Sequence, residues 1–208
     1  MKNSKLSKLI KISLLGVIGF VIMLIEFPIP IFPSFLKIDF SDLTAVVGGF
    51  AMGPVAGIAI ELIKNLLALS KTGTAGVGEI ANFLIGSSMV LTSSLIYKHN
   101  KTKINAVIGL ILGIVAMSVM GCLLNYFILL PMYETALHFP IKAVVAATHM
   151  VNPYVTDLKS FILFAIVPFN VIKGAVISVV TMAVYKKISP VVHKEIEEDM
   201  SAYNKVAK

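Results

Sequence analysis

Residues 43–70 read LTAVVGGFAMGPVAGIAIELIKNLLALS, and how often this stretch crosses a membrane decides the fold. Leu43–Ile60 is uncharged over the length that one transmembrane helix needs. Gly53-Pro54, however, is a strong breaker pair. Charge parity arbitrates. Lysines crowd the N-terminus, the loop Lys98–Lys103 and the tail from Lys186. The positive-inside rule puts all three on the cytoplasmic side. The chain between the first two must then cross an even number of times. One helix upstream (residues 12–25, extended back over Leu9 and Lys11) and one downstream (78–97) supply two crossings. The stretch 43–70 must supply two more, as a helix over 42–52 and another over 54–69. Cytoplasmic lysines then clearly outnumber those outside, which are Lys37, Lys64, Lys71, Lys142 and Lys159. A helix over 42–52 spans roughly 16 Å, too short for a ~30 Å hydrocarbon core. Such an element must be shielded by other helices or line a cavity.

The rest of the chain agrees with this class. Of 208 residues, 57% are hydrophobic, above the usual soluble range, and mean hydropathy is +0.91. Further uncharged runs occupy Ile80–Tyr97 and Ile104–Leu130. The net charge is +7 and every basic residue is Lys. These lysines flank apolar runs, so they read as topology signals rather than as a nucleic-acid surface. The N-terminus resembles a signal peptide but lacks a small-residue cleavage site, so it reads as an uncleaved first helix. The expected fold is all-α: an integral membrane protein of six transmembrane helices, with short helices 2 and 3 and both termini cytoplasmic. It forms one membrane domain over 1–208, with a six-helix core over 9–190 and a charged tail over 191–208. Helix 5 is expected over 104–130, ended by Pro131. Helix 6 is expected over 157–187, kinked at Pro168, and a short helix is expected near 141–147.

Lys173 lies within the last apolar run, Ser160–Tyr185, as its only charge. An ammonium at that depth marks a binding site or a pathway. Asn170 sits three residues earlier and shares its face. Counting crossings brings further polar residues to the same outer side: Lys37, Asp39 and Asp42 in the first loop, Glu79 and Asn82 on helix 4, and Asn125 beside Tyr126 on helix 5. Bland alternatives stand beside each. Glu79 is also what a helix N-terminus favours. Asn82 and Asn125 also suit interhelical hydrogen bonds, and Gly109, Gly113 and Gly121 suit close helix packing. Lys173 could pair with Glu79. Glu61 and Lys64 read as a local ion pair at the interface, and Ser41 or Asp42 as a helix N-cap.

Other chemistry is missing from the sequence. Lys71–Gly78 is glycine-rich but no Gly-Lys-[Ser/Thr] closes it, so it is not a Walker A loop. The four histidines show no metal-ligand spacing, no catalytic nucleophile has a base, and Cys122 is a lone packing residue. No enzyme, metal or cofactor is expected. Amides, one carboxylate and one ammonium among Phe and Tyr suit a neutral, partly aromatic solute.

Several motifs then carry a resemblance. These are Glu26-Phe27-Pro28, Phe35–Asp42, Gly49–Pro54, Glu61–Asn65, Gly73–Phe83, Asn125-Tyr126 before Leu130-Pro131, and Pro168–Gly174. Over residues 9–190 the chain resembles the riboflavin-specific S components of energy-coupling factor (ECF) transporters. The resemblance implies high-affinity capture of riboflavin from outside. It also implies that a membrane T component and two cytosolic ABC-type ATPases supply the energy, in the bacterial cytoplasmic membrane. The positions matching ligand contacts are Glu79, Asn125, Asn170 and Lys173, with Asn82 and the loop residues Leu36, Asp39 and Leu43 beside them. The first loop, Phe32–Phe40, is expected to act as a lid. Many S components dock the T component through Ala-x-x-x-Ala on helix 1. Here Ser13 and Val17 match those alanines, with Gly16 and Gly19 nearby as further small residues. The alternatives are an S component for another vitamin, an autonomous solute carrier or channel, and an intramembrane enzyme.

Overall fold

The computed structural model describes residues 2–33, 36–136 and 140–185. These residues are helical almost throughout. Helix α1 covers Lys2–Met23. A two-residue antiparallel ladder follows, β1 (Phe27–Pro28) with β2 (Lys37–Ile38), pairing Phe27 with Ile38. The three prolines of this loop forbid helix, and the ladder satisfies part of its backbone instead. Ser34 and Phe35 of the expected lid, and the charged tail over 191–208, lie outside the described residues.

Helix α2 (Asp42–Met52) and helix α3 (Pro54–Ala68) are separate, as the breaker pair predicts. Gly53 between them has φ +96°, a conformation open to glycine at little cost. Pro54 then opens α3 where its missing N–H is not needed. Helix α4 runs over Val77–His99. Helix α5 runs continuously over Lys103–Thr135, capped at its start by the Thr102 side chain. Helix α6 covers Ile141–His149 and α7 covers Leu158–Tyr185. Asp157 and Ser160 form a reciprocal capping box at the start of α7. Among the described residues, four helices are long and apolar enough to cross a membrane: α1, α4, α5 and α7.

The end of α5 differs from expectation. Pro131 does not end α5. A π turn over Asn125–Leu129 widens the ladder just before it, and the helix continues through the proline. In α7 a second π turn, Ile162–Ile166, precedes Pro168.

Among the described residues, three apolar clusters form the interior. One gathers Val46, Phe50, Ile60, Met89, Tyr97, Leu110, Met117 and Ile177, and Phe50 stacks on Tyr97 at 4.5 Å. A second joins the first loop to α5 and α7 through Phe32, Ile38, Leu130, Phe161 and Phe169. Phe32 meets Phe169 edge-to-face at 5.6 Å, which seats the loop on α7. A third is built from Val77, Ala81, Leu124 and Leu129. Gly109 and Gly113 let α5 touch α4 closely, since a Cβ there would stand 2.8 Å from the Ser93 carbonyl oxygen and 3.1 Å from that of Met89.

Candidate functional site

The three clusters meet at a small inner pocket of about 130 Å³. Leu36, Asn82, Asn125, Asn170 and Lys173 line it, with apolar walls from Ala81, Ile85, Met117, Leu129 and Phe169. An outer cavity of about 580 Å³ shares Lys37, Gly78, Asn82 and Tyr133 with it, so the two chambers adjoin. Glu26, Asp39, Lys71, Thr74 and Glu79 line the outer one.

The two asparagines are fixed by their own helices. Asn125 donates its amide to the Gly121 carbonyl at 2.8 Å, and Asn170 donates to that of Ile166 at 2.9 Å. Each bond reaches back one turn and uses one of two amide protons. The other proton and the Oδ1 acceptor of each remain for a ligand. Gly121 brings the helices close here: a Cβ would lie 2.6 Å from Asn170 Nδ2. Asn82 Oδ1 is buried and accepts no hydrogen bond among the described residues. Such an oxygen costs about 1–3 kcal/mol unless a partner arrives.

Glu79 sits half-buried in the first turn of α4. Its Oε2 accepts from Thr72 Oγ1 at 3.0 Å and Thr74 Oγ1 at 3.2 Å. The expected alternative of a Glu79–Lys173 pair does not form. Lys173 donates to Asp39 Oδ2 at 2.9 Å and stands 3.1 Å from Asp42 Oδ2. Asp39 therefore serves first as the partner of Lys173 and only borders the outer cavity. Leu43 lines neither chamber. Successive helical residues are turned by about 100°, so seating Asp42 inward swings Leu43 aside. Tyr126 likewise faces an open apolar groove with Phe127, away from its neighbour Asn125.

Glu61 and Lys64 are not at an interface. Both are wholly buried, and Lys64 pairs with Glu61 at 3.0 Å and with Asp42. Ser41 does not cap α2. Its hydroxyl bonds Asp39 and accepts from Lys64 Nζ at 2.8 Å. The missed signal was a charged pair within an apolar helix, the same pattern that singled out Lys173.

On α1, Ser13 and Val17 face outward, on a strip shared with Leu14, Ile18 and Val21. Gly16 and Gly19 do not belong to that strip. A Cβ on Gly16 would lie 2.6 Å from Ile63 Cγ2, and one on Gly19 2.6 Å from Thr44 Oγ1. Both glycines serve contacts within this chain.

Comparison with known proteins agrees with this architecture. A sequence profile of the family described as ECF transporter, substrate-specific component, matches residues 7–185. The riboflavin transporter FmnP of Bacillus subtilis (strain 168) is 39% identical over 202 residues, 96% of this chain and 98% of that protein. The riboflavin transporter RibU of Staphylococcus aureus (strain TCH60) is 40% identical over 182 residues, 88% of this chain and 90% of that protein. A solved S component of a bacterial ECF transporter superposes with a TM-score of 0.72 at 37% identity, covering 90% of this chain and 98% of that one.

Proposed function

The chain belongs to the substrate-specific components of ECF transporters, and from that premise we propose that it captures riboflavin for uptake. One observation carries the reading. Asn82, Asn125, Asn170 and Lys173 converge on a pocket whose other walls are largely apolar, and a more polar outer cavity adjoins it. A flavin has this division: a flat ring with one apolar and one polar edge, and a hydroxylated chain. The ring's polar edge takes the free amide protons and Oδ1 atoms of Asn125 and Asn170 and a proton of Lys173. Met117, Leu129 and Phe169 cover its apolar faces. The ribityl chain extends into the outer cavity towards Glu79. Leu36 and the rest of the first loop close over the ring as a lid.

Uptake then requires partners. A membrane T component and two cytosolic ABC-type ATPases supply the energy, docking against the outward strip of α1 around Ser13 and Val17. The topology has six crossings, the short α2 and α3 completing the four long helices, with both termini cytoplasmic in a bacterial cell membrane. The chain itself carries out no chemistry on the vitamin.

Purified protein in detergent tests the reading. It is expected to quench the fluorescence of added riboflavin, saturating near one vitamin per chain. Unquenched fluorescence at micromolar protein, with no flavin absorbance in the preparation, overturns it.

A further inference from the structure

The Lys173 ammonium belongs to a continuous buried ionic chain that runs from Asp39 to Glu61 on α3. Its members are Asp39, Lys173, Asp42, Lys64 and Glu61, none more than 5% exposed. The links are Lys173 to Asp39 at 2.9 Å, Lys173 to Asp42 at 3.1 Å, Asp42 to Lys64, and Lys64 to Glu61 at 3.0 Å. Only Lys173 lines the inner pocket. Asp39 borders the outer cavity, and Asp42 and Glu61 stand behind the inner pocket's wall. Gly86 lines that pocket, and a Cβ on it would lie 3.0 Å from Glu61 Oε2 and 3.3 Å from Asp42 Oδ1.

We infer that Lys64 is a positioning residue for ligand capture, setting where the Lys173 ammonium stands. This role presupposes the riboflavin reading above. An ammonium has three protons. Lys173 spends one on Asp39, and Asp42 Oδ2 lies within reach of another. Lys64 holds both of those carboxylates. It pairs with Asp42 through Oδ1, leaving only Oδ2 to face Lys173. It also donates to Ser41 Oγ, which in turn bonds Asp39 Oδ1. With Lys64 gone, Asp42 turns both oxygens to the one remaining cation and draws it back from the pocket. Lys64 thus keeps Lys173 forward, with a proton for the ligand, although Lys64 lines neither chamber.

A bland role, in which the chain of charges only ties α2, α3 and α7 together, predicts a different outcome in a double-mutant cycle. The variant is Glu61→Gln with Lys64→Met, which removes one carboxylate and one ammonium together and leaves the balance of charge unchanged. It is made in the wild-type and in the Lys173→Met backgrounds, and riboflavin affinity is read by fluorescence quenching. Where that variant does not yield folded protein, Lys64→Arg is carried through the same cycle, since a planar fork does not reproduce the compact ammonium in a closed site. The expected result is a loss of about tenfold with Lys173 present and less than about twofold without it, a coupling of the size seen between residues in one network. Unchanged affinity, or an equal loss in both backgrounds, overturns the positioning role while leaving the riboflavin reading intact. Wild-type protein that does not quench riboflavin overturns that reading and this inference with it.

Discussion

Replacing Lys173 tests fold and capture at once, and the structure shows how to separate them. Lys173→Met removes the cation that faces both Asp39 and Asp42, two carboxylates 3% and 1% exposed. Only Lys64 remains, and it already serves Glu61. Breaking a buried pair from one side costs about 3–5 kcal/mol, a large share of the 5–15 kcal/mol that typically holds a domain together. Lost binding in that variant alone would therefore be ambiguous. Adding Asp39→Asn removes one carboxylate along with the ammonium and keeps an oxygen for the Ser41 backbone N–H that Asp39 now accepts at 2.8 Å. The pair of substitutions should recover most of the lost stability. It should not recover binding, because a charge-assisted hydrogen bond worth about 1.5–3 kcal/mol is still missing, roughly tenfold to a hundredfold in affinity. Stability is read by thermal unfolding in detergent, using a maleimide dye on Cys122, the sole cysteine. Affinity is read by flavin quenching. A double variant that is stable and binds riboflavin like wild type refutes a ligand role for Lys173. A single variant as stable as wild type refutes the structural role of the ionic chain.

Further outcomes follow from the same geometry. Gly121→Ala places a methyl 2.6 Å from Asn170 Nδ2 and should weaken riboflavin binding by roughly tenfold or more, the size of a local overpacking cost; unchanged affinity in a titration would show that Asn170 is not held in register for the ligand. Glu79→Gln should raise the dissociation constant while the melting temperature stays within a few degrees; a melting shift with intact affinity would make Glu79 a helix-end group only. Val17→Trp and Ser13→Trp should leave binding intact yet abolish ATP-dependent uptake in vesicles with T component and ATPases, whereas Gly16→Leu should unfold the chain against Ile63. Wild-type uptake by both tryptophan variants would move the docking face elsewhere, and accumulation by vesicles holding this chain alone would restore an autonomous carrier. Deleting residues 34–37 should mainly speed riboflavin dissociation in stopped-flow, since a closed lid acts after encounter; an unchanged off-rate would remove the lid.

The membrane class was legible before any folding, because uncharged runs of spanning length have few other uses. So was the break between α2 and α3, since Gly53-Pro54 acts through local backbone sterics that any fold must respect. Asn82, Asn125, Asn170 and Lys173 were also legible, because a polar group deep in an apolar helix needs a partner wherever the helix packs. What those groups partner was decided by the tertiary structure alone. Lys173 meets Asp39 across 134 positions of chain, and no local period encodes that meeting. Glu61 and Lys64 read as an interfacial pair until α2 and α4 close over them. Gly16 and Val17 are adjacent in sequence and equally suited to packing, yet one faces Ile63 and the other the outside. Leu43 lost its place to Asp42 for the same reason. A helix has one rotation about its axis, and the neighbours that fix it come from distant parts of the chain.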